Sequence, residues 1–182
     1  MRVADVDILI VPGWQGSGPA HWQSRWETKL SSARRVHQID WERPRRVDWE
    51  ETLARAIAES RRPAVIVAHS LGVATSLHVA RRASDTIAGA FFVAPPSEQA
   101  VRELPCVDAD FLPYPREPLW FPTVLVGSAN DPYADAAFAR ELADDVGARF
   151  IDAGDAGHIN VESGHGPWPE GSLAFAHFLS RL

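Results

Sequence analysis

Residues 65–72, Val-Ile-Val-Ala-His-Ser-Leu-Gly, constrain this chain more than any other stretch. A β-branched apolar run stops at a small residue, a serine and a glycine. Residues 73–80 then read as a helix. A strand that turns sharply into a helix lifts the serine hydroxyl clear of the sheet and aims the next backbone N–H groups at whatever meets it, the arrangement known as a nucleophile elbow. The usual pattern is G-x-S-x-G, and Ala68 stands here for the first glycine. That position demands small size because strand and helix run close together, a demand alanine meets. The competing reading is an ordinary loop with an exposed serine.

The chain of 182 residues is long enough for one domain with a real core, and nothing in it calls for a second. Its formal net charge is −6, and its arginines come in scattered pairs (34–35, 45–46, 61–62, 81–82) rather than as a stripe. That balance argues against nucleic acid as a partner. The single cysteine, Cys106, excludes an internal disulfide and cannot build a thiolate metal site. Asp5 and Asp7 stand where a signal peptide needs an apolar core, and no apolar run approaches the ~20 residues of a membrane span. The expectation is a cytoplasmic protein with no membrane contact, no cofactor and no metal.

Strand-like and helix-like segments alternate, the mark of a parallel sheet covered on both faces. Strands are expected at 6–11, 36–39, 64–67, 87–93, 123–126 and 149–151. Helices are expected at 19–30, 49–58 with Asp48 as N-cap, 133–146 and 172–182, besides the one after the elbow. The fold class is α/β, a single-domain three-layer αβα sandwich with about six parallel strands and little or no lid. Residues 97–121 fit least well, with four prolines and the aromatics Phe111, Tyr114, Trp120 and Phe121. Such a segment either covers the active edge of the sheet or packs on the surface by its aromatics.

In open α/β sheets ligands sit beyond the carboxyl ends of the strands, so an acid and a base should follow later strands. Asp131 follows the strand at 123–126 and His158 follows the strand at 149–151. The chain order Ser70, Asp131, His158 is that of α/β hydrolases. In those roles His158 takes the serine proton and Asp131 orients the imidazole. Asp152 and Asp155 compete for the acid's place, and His165 for the base's. An oxyanion hole would use the Leu71 N–H and one from the loop 12–18, with Trp14 preferred to Gln15. Glycines in that loop also suit a phosphate cradle, but the spacing is neither G-x-G-x-x-G nor a P-loop. Gln15, His69, Trp120 and Trp168 are candidate substrate-pocket residues, and Trp14 could share that wall. Trp22, Trp26, Trp41 and Trp49 read as packing.

Four segments carry a family resemblance: V-P-G-W from Val11, A-H-S-L-G from Ala68, F-P-T-V-L-V-G-S-A-N-D-P-Y from Phe121, and G-H-I-N-V-E-S-G-H-G-P-W-P-E-G from Gly157. Together they resemble the small α/β-hydrolase family of serine hydrolases, the YdeN type that includes retinoblastoma-binding protein nine. The resemblance implies a nearly lidless α/β hydrolase with Ser70, Asp131 and His158 as triad and no cofactor. The expected activity is hydrolysis of small esters, with amides second, through an acyl-enzyme on Ser70. The alternative is a non-catalytic protein-binding member of the fold, its protein partner unknown. A metal-dependent hydrolase ranks third, since neither H-E-x-x-H nor clustered carboxylates occur in the sequence.

Overall fold

A computed structural model of the chain describes residues 1–82 and 85–182. Six strands form one parallel sheet: β1 (Asp7–Val11), β2 (Ala33–Arg35), β3 (Ala64–His69), β4 (Ile87–Val93), β5 (Thr123–Gly127) and β6 (Arg149–Asp152), in the order β2-β1-β3-β4-β5-β6. Side chains alternate faces along each strand, and this alternation divides the core in two. Leu9, Val11, Ile66, Ala68, Phe92 and Leu125 face α2 (Arg46–Ala58), α3 (Leu71–Ala80), α4 (Glu98–Glu103) and α5 (Ala136–Asp145). Ile8, Ile10, Val65, Val67, Phe91 and Val126 face α1 (Trp22–Lys29) and α6 (Pro169–Arg181). The result is the three-layer αβα sandwich expected.

The boundary expectations fail at identifiable places. The second strand is Ala33–Arg35, not 36–39. It is an edge strand whose Arg35 is half-buried by bonds to Glu27 Oε2 (3.0 Å), the Ser17 carbonyl (2.8 Å) and Ser24 Oγ (2.6 Å), so hydrophobic alternation does not mark it. Helix α2 starts at Arg46, and Asp48 lies in its first turn. There its carboxylate faces Arg45 at 3.4 Å and the positive end of the helix rather than capping it. Helix α5 begins only at Ala136, because Asp135 caps it by accepting the Phe138 N–H at 2.7 Å. That leaves Tyr133 outside the helix. Of the segment at 97–121, Phe111, Tyr114 and Phe121 enter the core, while Trp120 is 62% exposed.

The chain runs outward from β1 to β2, then crosses to β3 and continues in the other direction. The switch between β1 and β3 opens a crevice at their carboxyl ends, the usual ligand position in such sheets. Two glycines bring the walls together. A Cβ on Gly13 would lie 2.7 Å from the Ser70 Cβ, and one on Gly72 would collide with the Val11 carbonyl and lie 2.7 Å from the Pro12 carbonyl. Backbone cannot yield as a flexible side chain can. Gly72→Ala should therefore cost about 1–3 kcal/mol, as overpacking does, whereas Gly18→Ala, with open space around its Cβ, should leave stability nearly unchanged. Urea midpoints of the two variants measure this, and equal midpoints would refute the close-approach argument.

Candidate active site

Ser70 is the residue between β3 and α3, with φ 54° and ψ −128°. A non-glycine residue in this region is strained and needs surrounding structure to hold it. Its N–H donates to the Val93 carbonyl at 3.0 Å, and its carbonyl accepts the Val73 N–H at 2.8 Å. The hydroxyl is thereby presented at the crevice. His158 Nε2 lies 2.9 Å from Ser70 Oγ, and His158 Nδ1 lies 3.0 and 2.9 Å from the two Asp131 oxygens. The carboxylate also accepts the Tyr133 N–H at 2.9 Å. Since a carboxylate only accepts, the Nδ1 proton points to Asp131, leaving Nε2 free to accept from the serine.

The loop carrying His158 is pinned on several sides. Asn130 Oδ1 accepts the Gly157 N–H at 2.6 Å, and Ser128 Oγ accepts the Ala156 N–H at 2.9 Å. Trp22 Nε1 donates to the Ile159 carbonyl at 2.9 Å, and His69 Nε2 donates to the His158 carbonyl at 2.8 Å. Tyr133 packs on the His158 ring at 4.5 Å between centroids. On the opposite wall the fully buried Gln23 donates to the Val11 and Val67 carbonyls at 3.3 and 3.1 Å and accepts from Ser17 Oγ at 2.6 Å. One amide thus ties the loop after β1 to the strand that carries Ser70.

The cleft at Ser70 has a volume of about 250 Å³, with Trp14, His21, Leu104, Tyr133, Asn160 and Val161 among its walls. Gln15 and His69 also line it, as expected from the sequence. Trp120 and Trp168 do not. Trp120 stands on the surface beside Pro118 and Leu77. Trp168 is buried against Trp22 and Trp26 at 5.0 and 6.1 Å, on the α6 side of the sheet, and serves packing. Gln15 is unsuited as an oxyanion donor, because its N–H donates to the Trp41 carbonyl at 2.9 Å. Among the described residues, neither the Leu71 nor the Trp14 backbone N–H has a protein acceptor, and both residues adjoin Ser70 through the Gly13 approach. Asp152 accepts the N–H of Gly154 at 2.8 Å within its own turn, and His165 Nδ1 sits 3.2 Å from Ser163 Oγ. Neither reaches Ser70. No cluster of metal-ligating side chains occurs among the described residues, and no helix there is long and apolar enough to cross a membrane.

Sequence reading missed His21, Tyr133 and Asn160. His21 was hidden inside the helix expected over 19–30, which begins only at Trp22 with His21 as its N-cap. Tyr133 was hidden inside an expected helix that begins three residues later.

The fold and this site define an α/β hydrolase. The serine hydrolase family model matches residues 8–177, and the chain belongs to that family. A YdeN-like hydrolase of Pectobacterium atrosepticum superposes with a TM-score of 0.86 at 30% identity, over 97% of this chain and 92% of that one. The ydeN gene product of B. subtilis superposes at 0.79 with 20% identity, over 95% and 98% of the two chains, and shows the same fold. So does RedJ, a thioesterase of the prodiginine pathway in Streptomyces coelicolor, at 0.65 with 20% identity over 100% of this chain and 92% of that one. No curated protein matches the chain by sequence.

Three imidazoles stand in a row, His21, His69 and His158, with centroid separations of 5.0 and 4.8 Å. Burial, with Arg35 and His158 nearby, pushes His21 down to about 4, and burial pushes His69 well down in the same direction. A histidine that folding keeps neutral stabilises the native state fully above the unfolded-chain value of about 6.5. That stabilisation is lost as pH falls toward the folded value, because the unfolded chain takes the proton first. His21 alone should remove about 2 kcal/mol between pH 7 and pH 5. Urea midpoints at the two pH values should fall for the wild type and fall less for His21→Asn. Equal drops in the two proteins would contradict the assignment.

Proposed function

We propose that the protein is a serine esterase acting on small carboxylic esters, with Ser70 as nucleophile, His158 as general base and acid, and Asp131 as the group that orients it. The observation that carries this reading is the continuous hydrogen-bonded line from Asp131 through His158 to Ser70, closing at 2.9 Å on a hydroxyl that faces an open cleft. A serine hydroxyl is a weak nucleophile without such a base. As Ser70 Oγ bonds to the ester carbonyl carbon, its proton passes to His158 Nε2. The negative charge that develops on the carbonyl oxygen lies against the Leu71 and Trp14 N–H groups. Collapse breaks the bond to the alkoxide, which leaves with the proton from His158, and an acyl-serine remains. Water then gives a proton to His158 while its oxygen attacks the acyl carbon. The acid departs and Ser70 recovers its proton.

Esters are favoured over amides because an alkoxide leaves more readily than an amine nitrogen. The cytoplasmic setting expected from the sequence belongs to the same reading. A fluorophosphonate probe, followed by intact mass and peptide mapping, should label Ser70 alone. Ser70→Ala should lose labelling and lower turnover of a simple aryl ester on the order of 10⁴–10⁶-fold. Folded wild-type protein that takes no label would instead favour a non-catalytic binding role. Ester turnover that survives Ser70→Ala would place the reaction elsewhere.

A further inference from the structure

His21 is 5% exposed, yet it lines the same cleft as Ser70. Its Nδ1 accepts the N–H of Gln23 at 3.1 Å and so caps α1. A ring nitrogen that accepts a backbone N–H carries no proton, which fixes the neutral ring's proton on Nε2. The ring packs against Trp22 and His69 at 5.4 and 5.0 Å between centroids, while its Nδ1 stays committed to the cap. Among the described residues Nε2 finds no protein acceptor. Nε2 is not among the polar atoms shut away from solvent, so this edge of the ring opens on the cleft, where water accepts from it until a ligand displaces that water. A ligand that displaces this water keeps the hydrogen bond only if it brings an acceptor of its own to the fixed donor.

We propose that His21 is a specificity-determining residue whose Nε2–H donates to an oxygen of the substrate other than the ester group itself. The substrate class is then a short ester bearing an ether, hydroxyl or carbonyl oxygen in the part that lies against the start of α1. Two further features fit. A cleft of about 250 Å³ is below the roughly 300–1,000 Å³ of sites for drug-sized ligands, which suits a short chain. Asn160 also lines the cleft; its Oδ1 accepts the Ser163 N–H at 3.1 Å, and its Nδ2 has no protein acceptor among the described residues. A hydrocarbon chain leaves such donors unpaired, whereas an oxygen-bearing chain satisfies them. This proposal rests on the esterase reading of the same cleft.

The test uses two isosteric pairs of esters, each differing by one oxygen in place of a methylene. p-Nitrophenyl methoxyacetate is compared with p-nitrophenyl butyrate, and 2-methoxyethyl acetate with n-butyl acetate. The variant is His21→Asn, which keeps a side-chain acceptor to cap α1 but is too short to reach the cleft in the same way; His21→Ser serves if that variant fails to fold. Intrinsic reactivity cancels in the ratio of ratios. In one pair the preference for the oxygen-bearing ester, in kcat/KM, should fall on the order of 3–10-fold in the variant, the worth of one neutral hydrogen bond. The pair that responds tells whether the contacted oxygen is in the acyl or the alcohol half. A merely structural role for His21 lowers both members of each pair together and overturns the proposal. Fluorophosphonate labelling of Ser70 separates the two readings. A labelled enzyme with unchanged ratios rejects the role of His21 alone, and an unlabelled wild type rejects the esterase reading and this one with it.

Discussion

The backbone of Ser70 is held in a conformation that few residues adopt, and it is held there by contact with the end of β1. The carbonyls of Val11 and Pro12 press against Gly72, the second residue of α3, while Gly13 lies over the Ser70 Cβ itself. Strand β1 and the elbow therefore cannot move independently. That contact explains why the loop after β1 supplies the second wall of the cleft, and why the buried amide of Gln23 is spent on carbonyls from β1 and β3 together. Ala68 is compatible with this arrangement. It lies wholly buried between Val11 and Phe92 in the ladder, and the close approach to β1 falls instead on Gly72.

From that fixed point the remaining site is assembled by loops whose backbone carbonyls are grasped by rigid aromatic donors. Trp22 holds Ile159, and His69 holds His158. Both donors come from buried positions on α1 and β3, so the histidine loop is referenced to the same two elements as the serine. His69 illustrates how one residue serves two purposes. It contributes a wall of the cleft, but its Nε2 proton is committed to the loop and is not offered to a ligand. His21 is its complement, with the protonated edge free and the other edge committed to its own helix.

The meeting of Ser70, Asp131 and His158 was legible in the sequence because each follows a strand, clearly apolar before Ser70 and Asp131 and short before His158, and the ends of parallel strands share one edge of the sheet. The tryptophans were not legible in the same way. Trp168 follows the histidine loop closely in sequence, but the start of α6 turns its ring into the layer shared with Trp22 and Trp26. Which side of a sheet a loop residue enters is decided by packing between elements distant in sequence, and no local pattern carries it. Strand β2 escaped for a related reason. Its residues are two arginines and an alanine, and its place is fixed by the ladder with Ile8, Leu9 and Ile10 and by the contacts of Arg35 rather than by apolar periodicity. His21 fell inside the helix expected over 19–30, and both its capping of α1, which begins at Trp22, and the edge left over after capping are revealed only by the fold.

The row of histidines also bears on the charge balance of the proposed reaction. When His158 takes the proton from Ser70 it becomes an imidazolium with the His69 ring 4.8 Å away. Had His69 been charged as well, the repulsion would amount to about 3 kcal/mol at an effective dielectric constant of 20, enough to slow the step more than a hundredfold. Burial removes that conflict by holding His69, and His21 beyond it, in the neutral form. The positive charge on His158 is then left facing the Asp131 carboxylate alone. The tautomer of each neutral ring is fixed separately by its hydrogen bond, His21 by the Gln23 N–H at its Nδ1 and His69 by the His158 carbonyl at its Nε2, so burial sets the charge of the two rings and their bonding sets which edge carries the proton.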